Sequence, residues 1–481
     1  MAYLHGVRVQ ENPTSVATPV SNESGVPVIF GTAPVNLAAD PDHATNKLFL
    51  CNTFAEAKEA VGYCDDFSFT LCQAIYAFFK VFGVGPVVLC NVLDPATHKK
   101  AYTETLTVTN GQAVSTTAGV LLTGLTVKSG AESSNLVLDT DYTVEFNDEG
   151  YLVVTVIKSG VTSITLSGNK VDPTAVKAVD IIGSYDSGTG AETGLELVRK
   201  VYPTFNLAPG LLLAPGFSDD PSVGVALAAK CHDVNGMFKC ECVVDIDCSS
   251  SGATKYSDVA SVKSTGGYCD KHMIALWPMV KYGDKIMAFS AIYAAMVAYT
   301  DYNNDSVPSL SPSNHDIRVS AAVLADGTEV NLDITQANEL NAVGVVTAIN
   351  LGGYKAWGNN TAAYPDITDP KDRWICCRRF FSWWGNNFIM NFLEKVDDPA
   401  NYRLIESIVD SENVLGNSLV SQGKCAGIKM VYSKEDNPIE KVLEGKIVFR
   451  QYMAPYTPAE DILNILEFDP SMLESALGGE E

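Results

Sequence analysis

Positive charge is in short supply in this sequence: 33 Lys and Arg stand against 57 Asp and Glu, a formal net charge of −24 over 481 residues. A chain so acidic repels phosphate at long range, so no direct nucleic-acid partner is expected. The opening MAYLHGVRVQENP has neither a basic start nor an apolar stretch, so no secretory signal is legible and synthesis in the cytosol is expected. Long hydrophobic runs are missing too. KIMAFSAIYAAMVAY (285–299) is the most apolar segment and falls short of the about 20 residues that cross a bilayer. It is read as a buried core helix, with no membrane partner.

Cofactor chemistry is equally poorly represented. The twelve cysteines contain no Cys-x-x-Cys pair, and the group Cys231, His232, Cys240, Cys242, Cys248 and Cys269 fits no common zinc spacing. In MFKCECVVDID, alternation places Phe238, Cys240, Cys242 and Val244 on one strand face, where thiols act as small buried hydrophobes. GSYDSGTGAETG (183–194) lacks Gly-Lys-Ser/Thr and the dinucleotide fingerprint. Ser167-Gly168-Asn169-Lys170 matches Ser-x-x-Lys but lies at a hairpin with no Lys-Thr-Gly downstream. Asp245 and Asp247 end a buried strand without a third ligand, and the six histidines are scattered. No catalytic, cofactor-binding or metal-binding residue is assigned, and no cofactor is expected. The chain is read as a protein other than an enzyme.

What is present is a multidomain mixture of α/β and α+β character, in a length that suits three or four domains. VPVIFGTAP (26–34) and GPVVLCNVL (85–93) read as buried strands around two helices, FAEAKEAVG (54–62) and FTLCQAIYAFFKVFG (69–83). From about residue 98 helical periodicity fades. TETLTVTNG, VLLTGLTVKSG, TDYTVEFNDEG, YLVVTVIKSG and VTSITLSGN read as short strands, with Asn110-Gly111 as hairpin chemistry. This all-β sandwich or barrel, 98–175, is inserted, because α/β character resumes after Asp172-Pro173. The helix SVGVALAAKC and the strand FKCECVVDID follow. Near the end, 369–396 and 401–423 read as helices, and GIKMVYS and KIVFRQYMAP as strands.

Both termini hold strand-like pieces without an evident local partner. YLHGVRVQENP carries Tyr3, Val7 and Val9; the stretch from Ile447 through Phe449 to Met453 is strand-like; Ile462, Ile465 and Leu466 follow. Two or three strands are marginal alone, and an unpaired apolar edge invites aggregation. Thr457-Pro458-Ala459-Glu460 is a capping box with Pro at the first helical position, so local rules predict a helix over 458–467.

Taken in order, HGVRVQENP, GVPVIFGTAP, TGLELVRKVYPTFNLAPGLLLAPG, ELNAVGVVTAINLGGYKAWGNNTA (339–362) and CRRFFSWWGNNFI followed by VDDPANYRLIESI resemble the tail sheath proteins of contractile bacteriophage tails and related bacteriocin particles. Asn360 departs from the pattern, since relatives often carry Arg there. The resemblance implies an N-terminal arm (1–20), a discontinuous α/β core (21–97 and 176–365), the inserted module (98–175), and a C-terminal α+β domain with its own arm (366–481). It implies a homo-oligomer of six-fold rings stacked helically around an inner tail tube, with baseplate and tail terminator proteins as further partners. Its location would be a virion tail or phage-tail-like particle assembled in the bacterial host cytoplasm. In that family the two arms leave their subunit and add strands to a small sheet in neighbours. Tyr3, Val7, Val9, Ile447, Phe449, Met453, Ile462, Ile465 and Leu466 are the implied arm strands, so 458–467 is read as mostly strand against the local helix signal. Lys371, Arg373, Arg378 and Arg379, clustered against the trend of the whole chain, have two readings: contacts to the tube, or pairs with nearby carboxylates on a helix whose aromatic side packs inward. A cytosolic α/β enzyme with an inserted β domain and a surface adhesin are the rival functions; the first needs a convergent polar pocket, the second secretion.

The position and turn-rich pattern of 98–175 predict an outward-facing decoration. Excising it with a short Gly/Ser bridge should leave a soluble protein that still polymerises, as checked by sedimentation and negative-stain microscopy.

Overall fold

A computed structural model describes residues 20–21, 24–130 and 135–478 of the chain. Tyr3, Val7 and Val9 lie outside the described residues. The apolar stretches VPVIFG, VVLCN, ECVVD and MIAL form strands buried along their whole length, as in a sheet covered on both faces. Eight strands make that sheet, in the spatial order 354–357, 345–350, 273–276, 241–245, 209–213, 26–31, 87–91, 48–51. The inner six run parallel, and the outermost strand at each edge is antiparallel. Because the chain enters at Val26–Gly31, turns to one side, and returns to Pro209–Leu213 on the other, the sheet is doubly wound.

Covering both faces alters the reading of 238–244. Glu241 to Asp245 are all buried, so inward alternation does not apply. Cys231, Cys240 and Cys242 are fully buried, and burial pushes the Cys231 and Cys240 thiols above their ordinary pKa. They are core hydrophobes. The expected core helix is Phe289–Asn303, with twelve buried residues. Lys285–Met287 before it is a strand instead. Among the described residues no helix is long and apolar enough to cross a membrane.

In open α/β sheets the crevice at the carboxyl ends of the strands usually receives a ligand. Here the chain fills it with its own groups. Thr32 N donates to Thr70 Oγ1 and Thr70 N donates to Thr32 Oγ1, at 3.1 and 3.0 Å. The Asn91 side chain pairs with both backbone groups of Ala33. Asp245 accepts from Ser290 N at 2.8 Å and from the Ser290 and Ser218 hydroxyls. Burial pushes its carboxyl up to about 6.

Residues 99–171 form two three-stranded sheets around a separate cluster containing Tyr102, Leu106, Val127, Leu152, Ile164 and Leu166. Asn110 and Gly111 both have positive φ, 53° and 80°, as a two-residue hairpin requires. The strand after that turn, Gln112–Ala118, is small and polar and gives little apolar signal.

The expected single helix over 369–396 is broken. Pro370–Arg373 and Ile375–Phe392 are separated at Trp374, whose backbone is extended. The cause is a diversion of hydrogen bonds: the Arg373 carbonyl accepts from Thr361 N and the Asp372 carbonyl from Thr361 Oγ1. Beyond, helix Tyr402–Ser421 packs on an antiparallel pair, Cys425–Val431 and Arg450–Pro455. Phe380, Trp384, Leu419, Cys425 and Ile428 form the small core there.

One close approach shows how tightly the core is built. A Cβ on Gly224, inside helix Pro221–Cys231, would lie 2.3 Å from the Tyr268 ring. That ring is 1% exposed, and its hydroxyl donates to Ser218 O and Asp219 O. Gly224→Ala should therefore destabilise by about 1–3 kcal/mol, overriding the helix-propensity gain of about 1 kcal/mol, as read from urea denaturation.

Candidate assembly site

Helix Ile375–Phe392 joins the C-terminal part to the α/β core, and its two sides do different work. Phe380 and Trp384, four residues apart, share one side and stack at 11° within the C-terminal core. Arg378, Ser382 and Asn386 follow one another at the same spacing on the side that meets the α/β core. Ser382 Oγ donates to Glu241 at 2.6 Å, and the Asn386 amide pairs with both backbone groups of Lys239. Arg378 Nη1 donates to Asp372 at 2.7 Å. Arg379 binds Asp301 through both terminal nitrogens.

These positions correct the tube-contact reading for two residues. Arg378 and Arg379 are 7% and 6% exposed and face carboxylates inside the subunit. The charged side of the helix, rather than its aromatic side, is the one turned to the main core. A buried cation is stable only with a carboxylate beside it, and Asp301 and Asp372 supply that. Burial alone would raise Asp372, but the Arg378 hydrogen bond and the nearby Lys271 and Lys371 hold it below its ordinary pKa. Lys371 stays 41% exposed in its side chain, 3.6 Å from Asp372. Arg373 lies between the Tyr364 and Trp374 rings, its Nε donating to Asn360 and its Nη2 to Glu460. Asn360 thus engages an Arg, reaching in from position 373.

The terminal strand reading also changes. Arg450–Pro455 is a strand of its own subunit, with Met453 opposite Ile428 and packed against the small core. Ile447 and Phe449 precede the strand; the Phe449 ring meets Tyr432, and Val448 N donates to Asn437. These three residues belong to the body, because Cys425–Val431 supplies a partner that local patterns do not reveal. The arm begins after Pro455. Residues 456–469 form neither the locally predicted helix nor a strand within this subunit, and a short helix, Pro470–Leu477, follows. Ile462, Ile465 and Leu466 are 85%, 72% and 86% exposed. No described residue hydrogen-bonds to the outer edge of Arg450–Pro455, whereas the Asn413 amide meets both backbone groups of Met430 on the other strand.

The described residues thus combine a doubly wound sheet, a separate β module and an exposed apolar C-terminal segment. No protein-family model matches the chain. The tail sheath protein of Burkholderia phage BcepMu is 25% identical over 491 residues, covering 99% of this chain and 99% of the relative. The tail sheath protein of Escherichia phage P2 is 25% identical over 291 residues, 59% of this chain and 69% of the relative. Two solved structures share the fold: an anti-feeding prophage baseplate chain, with TM-score 0.58 and 16% identity over 98% of this chain and all of the other, and the sheath complex of the PVC extracellular contractile injection system in its contracted state, with TM-score 0.56 and 14% identity over 98% and 99%. Along nearly its whole length the chain is similar to the tail sheath proteins of contractile phage tails. It is a structural sheath subunit and not an enzyme.

Arg379→Met should strand Asp301 as a buried, uncompensated charge and destabilise by about 3–5 kcal/mol. Adding Asp301→Leu should recover most of that loss, as measured by urea denaturation of both variants.

Proposed function

We propose that this subunit polymerises as six-subunit rings stacked helically around an inner tail tube, between a baseplate and a tail terminator. Contraction of that polymer drives the tube through the target cell envelope. The observation that carries the reading is a donor and an acceptor on one chain: an extended apolar arm after Pro455 whose large apolar side chains are exposed, and a two-stranded sheet whose Arg450–Pro455 edge is unpaired among the described residues. β-augmentation joins such parts, with main-chain hydrogen bonds supplying affinity and side-chain alternation supplying register. A head-to-tail contact of this kind continues into a helical polymer when its rotation does not close on itself.

The N-terminal arm (1–20) serves as a second link, starting beside Val20–Ser21, which pairs with Val84–Gly85 in the body. The α/β core (21–97 and 176–365) and the C-terminal domain (366–481) are the bodies that repack on contraction, and the module at 98–175 faces outward. About 14 extended arm residues span up to about 50 Å, enough to keep neighbours joined while bodies rotate. The energy is stored in a metastable extended array and released by repacking, in keeping with a strand-end crevice filled by Thr70, Asn91 and Asp245. No tube contact is assigned to Arg373, Arg378 or Arg379. The subunit is assembled in the host cytoplasm into the tail of a phage or phage-like particle.

Deleting 1–20, or truncating after Asp461, should each leave a folded monomer by circular dichroism that forms no tubes by sedimentation and negative-stain microscopy. Normal tubes from either truncation would reject exchange of that arm.

A further inference from the structure

The C-terminal arm is gripped by its own body at one place before it leaves. Pro458 to Asp461 form one wall of a cleft of about 530 Å³ whose other wall includes Trp357, Tyr364 and Arg373. Arg373 Nη2 donates to Glu460 Oε2 at 2.9 Å. Among the described hydrogen bonds this is the last between arm and body. From Ile462 to Phe468 the large apolar side chains are 72–86% exposed.

The Arg373 guanidinium is held before the arm reaches it. Its carbon lies 3.9 Å from the Trp374 ring centroid and 4.5 Å from that of Tyr364. Its Nε donates to Asn360 Oδ1 at 2.8 Å, and Asn360, 4% exposed, is itself anchored by donating to Asn341 O. A stacked, bidirectionally bonded Arg has little rotamer freedom left to lose, so a carboxylate meeting it costs mainly the ordering of the incoming segment. The same pair built from two free surface chains would lose most of its value to entropy.

We propose that Arg373 and Glu460 are positioning residues for assembly: a fixed seat that sets the point and direction at which the C-terminal arm departs toward the next subunit. This rests on the arm-exchange reading. An arm pinned at Glu460 leaves the body at a fixed point, so its apolar stretch from Ile462 onward, exposed on this subunit, is presented outward and its effective concentration at the acceptor edge rises. A contact that instead parked the arm on its own body would act in the opposite sense, restraining polymerisation.

The test measures the soluble subunit concentration left in equilibrium with tubes for full-length Glu460→Gln and Glu460→Arg, alongside truncation after Asp461. Glu460 lies on the arm, so these variants should melt like wild type, whereas Arg373 also supports Tyr364 and Trp374. A partly exposed charge pair implies a rise of about two- to fivefold for Glu460→Gln, and a larger one for Glu460→Arg, which sets two cations together. Raising the salt should shrink the difference between wild type and Glu460→Gln. An unchanged or lowered concentration in both variants, with the truncation still unable to polymerise, overturns the seat while leaving arm exchange standing. Tubes from the truncated protein overturn arm exchange and the seat with it.

Discussion

The architecture hinges on the buried pair of Asp301 and Arg379. Asp301, 1% exposed at the end of helix Phe289–Asn303, receives both terminal nitrogens of Arg379 and the hydroxyl of Ser24. One carboxylate thus ties the central core helix to the helix carrying the C-terminal part and to the segment that follows the N-terminal arm. Three and four residues on, Asn304 and Asp305 bind the Lys424 ammonium, fixing the start of strand Cys425–Val431 at the same corner. A charged pair of this kind is directional. Breaking it leaves a charge without water or partner, so the two parts have one docking geometry rather than a family of slippery apolar ones.

That choice of glue sets the two parts in one fixed arrangement. The small C-terminal core of Phe380, Trp384, Leu419 and Ile428 is apolar, while the joint to the α/β core is made by Arg378, Arg379, Ser382 and Asn386. Packing density holds each part, and hydrogen-bond direction holds the parts to each other. The chain beyond Asp461 is left outside this packing, its large apolar side chains exposed among the described residues. The strand-end crevice, the usual place for chemistry in a doubly wound sheet, is filled by Thr32, Thr70, Asn91 and Asp245.

The parts legible in the sequence were those written in short-range patterns. Val26–Gly31, Val87–Asn91, Tyr402–Ser421 and most strands of the β module follow from local periodicity and turn chemistry, and Asn110-Gly111 marks its hairpin directly. The edge strand Leu48–Cys51 did not stand out, because four residues of half-buried LFLC carry no period. The capping box at Thr457 signalled a helix that did not form: a cap can only stabilise a segment whose apolar face finds something to cover, and Ile462, Leu463, Ile465 and Leu466 stay exposed on this subunit.

By itself, then, the sequence determined most of the element types in the α/β core and the β module, and the order of segments that resembles the tail sheath proteins. These depend on residues near one another along the chain. The tertiary structure alone decided that Arg450–Pro455 belongs to the body, that Arg373 meets Glu460 across 87 residues, and that Arg379 is buried against Asp301 across 78. Whether a strand edge is open or a cation is free depends on what lies opposite it in space. No local spacing encodes a partner so far away, and it is these long-range partners that divide the chain into a fixed body and a free arm.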